Sequence, residues 1–202
     1  MSERDEIEKV LLAWFGAEAD DATVVKRQSG LWFAKSDETD RFLRETFGDL
    51  VERALRGELS SWRATLRGRL ALIVLCDQFT RNIFRGTPRA FAGDPLALAA
   101  AREMIAAGED ASLRPFERVF VYLPLEHAED LAAQEEAVAR FARLLGDAPG
   151  EARGYFDGFH DYAVRHRDVI QRFGRFPHRN VILGRASTDE EIVFLKEPGS
   201  SF

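Results

Sequence analysis

Arg172 to Thr188, reading R-F-G-R-F-P-H-R-N-V-I-L-G-R-A-S-T, places four arginines, a histidine and an asparagine among aromatic, proline and glycine residues. Neither a plain core helix nor a solvated loop needs that mixture. Arginines with an asparagine at a turn suit a carboxylate or phosphate, through charge-assisted, bidentate hydrogen bonds. Earlier segments add polar groups where apolar ones belong. Asp77 and Arg81 stand four residues apart at the exit of the run L-A-L-I-V-L-C. His166 falls in a helical stripe of Phe159, Tyr162, Val169, Ile170 and Phe173, and His127 shares a face with Phe116, Phe120, Leu123 and Leu131 if one helix continues past Pro124. A carboxylate drawn out of water needs a cation or several donors.

Each of these residues alone is ordinary: a buried histidine is usually hydrogen-bonded core, and an Asp–Arg pair is usually a local ion pair. Together, Asp77, Arg81, His127, Glu129, Asp130, His166, Arg172, Arg175, His178, Arg179 and Asn180 come from four separated segments that end at glycines, prolines or kinks. Convergent buried charge is the mark of a pocket. The pocket predicts a binding or adaptor role toward an acidic small molecule or a peptide carboxylate. A histidine general base with a carboxylate partner makes a hydrolase or lyase the second reading, and a charge clasp docking the tail on the central helix is the third. No phosphate loop, G-x-S-x-G, C-x-x-C or H-E-x-x-H accompanies the cluster. H-A-E-D at 127–130 matches no zinc spacing, so neither metal nor cofactor is expected.

The elements that must position these groups are helical throughout. Ile7, Val10, Leu11 and Trp14 recur at helical spacing over residues 5–15, ahead of Gly16. Residues 17–29 are polar and predict a loop leading to Trp32 and Phe33. Ser36 caps a helix that buries Phe42, Phe47, Leu50, Val51 and Ala54 and reaches Gly57. Residues 66–79 are apolar nearly all round, which predicts a central helix wrapped by neighbours. Thr87-Pro88 and Asp94-Pro95 pair capping residues with proline at the first helical position, the second helix ending near Gly108. Pro115 opens a helix that Pro124 kinks or breaks on its way to Gly146. One long helix covers 150–173 and stops at Gly174, and Ser187 with Glu190 predicts a capping box before a short last helix. No period-two stretch appears, so the chain is read as all-α, eight to ten helices in one domain over 1–202. F-T-R-N-I at 79–83 and F-P-H-R-N-V at 176–181 form a faint echo that predicts the same local geometry used twice.

Bulk properties narrow the partners. With 202 residues, 46% hydrophobic and 31% charged, the chain has the composition of a folded protein. Its net charge of −6 argues against nucleic acid and anionic membranes, which select a positive footprint. Only Lys9, Lys26, Lys35 and Lys196 are lysines among 28 basic residues. Cys76 has no partner for a disulfide, and no signal-like or membrane-length apolar run is present, so a cytoplasmic location is expected.

W-F-G at 14–16, D-Q-F-T-R-N at 77–82, Y-L-P-L-E-H-A-E-D at 122–130, R-F-G-R-F-P-H-R-N at 172–180 and L-G-R-A-S-T at 183–188 together resemble a bacterial domain-of-unknown-function family of tetratricopeptide-like, all-helical proteins. That resemblance implies a superhelical or orthogonal helix array with no established activity. Two positions depart from the family pattern, which has proline where this chain has Thr80 and serine where it has Ala128. No serine hydroxyl therefore stands beside His127.

Overall fold

The computed structural model describes residues 2–17, 20–148 and 150–201, and among them no strand occurs. The first helix, α1 (Glu3–Phe15), starts at a capping box between Ser2 and Asp5 and ends at Gly16, whose φ of 72° favours glycine. It buries Val10, Leu11, Trp14 and Phe15. The predicted loop at 17–29 is overturned for most of its length. Asp20 accepts the Thr23 N–H and opens α2 (Asp21–Phe33); residues 18 and 19 lie outside the described residues. Only Val24, Val25 and Trp32 of α2 are buried, so its apolar stripe is too thin to register against the polar residues around it. Packing holds it: the Trp32 indole N–H donates to the Trp14 carbonyl at 2.9 Å.

Ser36 caps α3 (Asp37–Leu55) as expected, although Phe42 is about half exposed and does not join the buried face. The central helix is where the apolar run placed it. Capped by Thr65, α4 (Leu66–Ile73) passes into a π-helical turn at Val74–Phe79 and then into α5 (Thr80–Ile83). Residues 70–80 are all buried. A π turn breaks the ordinary hydrogen-bond ladder and recurs at functional sites, and this one holds Asp77.

Against the π turn packs Gly93, where an added Cβ would lie 2.2 Å from the Cys76 carbonyl oxygen. Gly93 caps α6 (Asp94–Ala106), so Asp94 is its first residue and does not act as the cap its pairing with Pro95 predicts. Its side chain points elsewhere. Pro115 opens α7 (Pro115–Glu126), which ends two residues after Pro124. The single helix to Gly146 is thus two, with Asp130 capping α8 (Leu131–Asp147), and Leu131 leaves the face shared by His127. Next, α9 (Arg153–Phe173) ends at left-handed Gly174 (φ 68°). A short 3-10 turn at Pro177–Arg179 leads to α10 (Asp189–Phe194), whose box is Thr188 with Glu191, one residue beyond the predicted Ser187 and Glu190. The predicted echo fails as geometry, since Phe79–Ile83 is helical while Phe176 is extended before its turn.

One apolar core runs from α1 to α9, and a small second cluster of Val169, Ile170 and Phe176 ties the tail to the end of α9. No helix among the described residues is long and apolar enough to cross a membrane.

Candidate functional site

The π turn buries Asp77 completely. A bare carboxylate at such a position costs several kcal/mol, and three donors offset that cost. Oδ1 lies 2.7 Å from His127 Nδ1 and 3.1 Å from Arg81 Nη1, while Gln78 Nε2 donates to Oδ2 at 2.6 Å. Arg81 Nη1 also donates to the Asp77 carbonyl at 2.8 Å. Burial pushes the Asp77 carboxyl upward, but Arg81, His127 and Gln78 outweigh it and hold the group well below the usual range. Asp77 is therefore an acceptor, and His127 Nδ1 carries the hydrogen between them. Burial, reinforced by Arg81, lowers the His127 imidazole, so it is neutral near pH 7 with its lone pair on Nε2. An aspartate that fixes the tautomer of a histidine is the orienting half of a general-base pair.

The adjacent residue completes an acid–base contrast. Glu126 is 3% exposed, and burial together with the nearby Asp77 charge pushes its carboxyl up to about 8. Its Oε1 lies 3.0 Å from His166 Nδ1, which is also 2.9 Å from the Tyr162 carbonyl. A carbonyl only accepts, so Nδ1 carries the hydrogen toward both oxygens. Burial, and then His127, lowers His166 to about 3. Glu126 Oε2 has no hydrogen-bond partner among the described residues. Two carboxyls in one site, one held ionised and the other held protonated, is how proteins assign base and acid roles. Gln134 fastens this corner by donating to the Glu126 and Ala128 carbonyls.

His127, Glu126 and His166 line a cavity of about 740 Å³, within the usual range for small-molecule sites. The end of α2 supplies Trp32, Phe33 and Lys35, and α9 supplies Gly154, Tyr155, Gly158, Phe159 and Tyr162. Arg81 and Arg85 also reach the wall. Both are engaged: Arg81 holds Asp94 through two bonds of 2.8 and 3.1 Å, and Arg85 holds Asp40 through bonds of 2.7 and 2.9 Å.

Of the residues singled out by sequence, Arg81, His127 and His166 line this cavity, with Asp77 bonded behind His127. Arg179 joins them from behind. It is 6% exposed, 3.6 Å from Asp94 and stacked over Phe91 and Phe176. Burial and then Arg81 lower its guanidinium to about 10. His178 packs on Phe176, and burial followed by Arg179 lowers it to about 4. The other residues build a clasp. Glu129 accepts from Arg185 at 2.6 and 2.9 Å and from the Phe176 N–H at 2.8 Å. Arg175 grips Glu191 at 2.6 and 2.7 Å, and Asn180 bridges Ser187, Glu191 and Arg185. Asp130 is the α8 cap, and Arg172 pairs with Glu190 at the surface.

Sequence reasoning missed Glu126, Asp94 and the aromatic wall. Glu126 left a signal, being an ionisable residue one step before His127 at the end of the apolar run V-F-V-Y-L-P-L. Asp94 left none, because its proline neighbour makes it look like a cap. Among the described residues, no group of three His, Cys, Asp or Glu side chains is placed to hold a metal ion.

The model of a family described as bacterial proteins of unknown function, DUF924, matches residues 10–199. A solved structure of a protein of unknown function from Agrobacterium tumefaciens is 37% identical, with a TM-score of 0.80 over 96% of this chain and 99% of that one. No curated protein matches.

Proposed function

We propose a function for this chain, which belongs to the DUF924 family of bacterial proteins of unknown function, from its geometry: it is an enzyme that uses His127 as general base on a small molecule held in the cavity. One observation carries the reading, the 2.7 Å contact of Asp77 with His127 Nδ1 on the cavity wall. His127 Nε2 takes a proton from the substrate or from an attacking water. Asp77 stabilises the imidazolium that forms, and Glu126, protonated at neutral pH, returns a proton to the leaving atom. Hydrolysis and elimination both fit this division of labour. The sequence-based preference for an acidic ligand has less support, because Arg81 and Arg85 already spend their paired donors on Asp94 and Asp40. A fully buried single cysteine, Cys76, whose thiol burial pushes up to about 12, supports placing the protein in the cytoplasm.

The test is a turnover screen with neutral esters, amides, lactones and β-hydroxy or β-alkoxy carbonyl compounds. A compound turned over by the native protein loses about 10²–10⁴-fold in rate with His127→Gln and a comparable amount with Asp77→Asn, each assayed at a temperature where the variant is folded. Turnover that survives His127→Gln at the native rate overturns the proposal, as does a screen in which no compound is converted.

A further inference from the structure

We infer that the cavity takes a ligand with a flat, unsaturated body laid on a bare face of α9, its hydrogen-bonding end at Glu126. This deepens the enzymatic reading by naming the substrate class. Gly154 and Gly158 lie one turn apart inside α9 and both line the cavity. Neither is required by its backbone, since neither has a positive φ. Nor do neighbours demand glycine, because a Cβ added at either position would meet no atom within 4 Å. Gly158, in the helix interior, nevertheless costs about 0.5–1 kcal/mol relative to alanine. What the pair provides is open space directly over the helix backbone, a shelf that a planar group can approach and a side chain would fill.

The surroundings have the matching chemistry. Phe33, Tyr155 and Tyr162 line the cavity while 53%, 38% and 52% exposed, and large aromatic faces left open around a concavity are binding surface. Phe159 supports the Phe33 ring at 5.6 Å. On the same wall stands Glu126, 3% exposed, with Oε2 lacking a hydrogen-bond partner among the described residues. A buried polar atom left unpaired costs about 1–3 kcal/mol, and a ligand hydroxyl or carbonyl there removes the penalty. The wall arginines are committed to Asp94 and Asp40, so the recognised body is aromatic or conjugated where it lies on the shelf.

The experiment compares 2-naphthol with 2-decalol, its saturated and puckered counterpart, by calorimetry or ligand-detected magnetic resonance. The native protein binds 2-naphthol at least about tenfold more tightly. Gly158→Leu, which covers the shelf, weakens 2-naphthol by about tenfold or more while the melting temperature holds or rises. Gly154→Leu gives a second reading if the first variant misfolds. Affinity for 2-naphthol in the glycine variants reports the shelf and turnover in His127→Gln reports the base, so the two readings fail separately. Equal binding of the two alcohols, no binding of 2-naphthol, or native affinity in both folded glycine variants overturns the inference.

Discussion

Residue by residue, the site rests on two carboxyls with opposite protonation. Asp77 has a cation, an imidazole and an amide around it, whereas Glu126 has a neutral His166 and one oxygen without a hydrogen bond among the described residues. The difference has a measurable sign. The folded Glu126 holds its proton up to about 8, against an ordinary 4.5. Its contribution to stability is therefore complete below pH 4.5 and disappears as pH rises toward 8. His166, lowered to about 3 from 6.5, acts the other way: its contribution is present above pH 6.5 and disappears as pH falls. The two oppose each other between pH 4.5 and 6.5, and above that Glu126 stands without this counterweight. The native protein accordingly loses about 1 kcal/mol per pH unit between pH 6.5 and 8 in urea unfolding, and Glu126→Gln removes that loss. Parallel pH curves for the two proteins contradict the assignment. Sequence pointed to Asp77 and His127 because polar residues on greasy faces are rare. It passed over Glu126 because burial is a property of the neighbours, and α9 must be in place before that carboxyl is dry.

Among the elements, the π turn at Val74–Phe79 aims Asp77, and its packing against Gly93 fixes where α6 begins. Gly93 has an ordinary φ of −87°, so its role is close approach and not an unusual backbone angle. Gly93→Ala forces a methyl against the Cys76 carbonyl and costs about 1–3 kcal/mol by thermal unfolding. Because Asp94 follows directly, the same variant loosens the Arg81–Asp94 pair and shifts the His127 resonances; unchanged stability refutes the packing argument. The central helix itself was legible from its all-round apolarity, but the turn type was not, since the choice between the two hydrogen-bond ladders comes from what packs outside. The last helix teaches a finer point. Ser187 with Glu190 and Thr188 with Glu191 are equivalent capping patterns one residue apart, and the Arg175 grip on Glu191 decides between them.

For the molecule as a whole, the tail closes onto the centre, and the sequence anticipated that convergence from the charges it would otherwise strand. The echoed Arg-Asn pairs have different backbones, yet Arg81 and Arg179 reach the same carboxylate, Asp94. Beyond that point the polar residues divide into a cavity half and a clasp half, a division that spacing along the chain could not reveal. Glu129 closes the clasp, so Glu129→Ala removes the carboxylate that accepts from Arg185 and from the Phe176 N–H and destabilises by about 1–3 kcal/mol. Hydrogen exchange then speeds up across 175–185 while the π turn stays protected, and uniform acceleration over both regions contradicts a separate clasp. The most direct test of the account concerns the contact that joins elements 50 residues apart: the protonation of His127, read by nitrogen-resolved magnetic resonance of its imidazole at pH 7. The ring is expected to be neutral, with hydrogen on Nδ1 and a bare Nε2 that responds when 2-naphthol fills the cavity. A ring protonated at Nε2, or one insensitive to the ligand, contradicts this expectation.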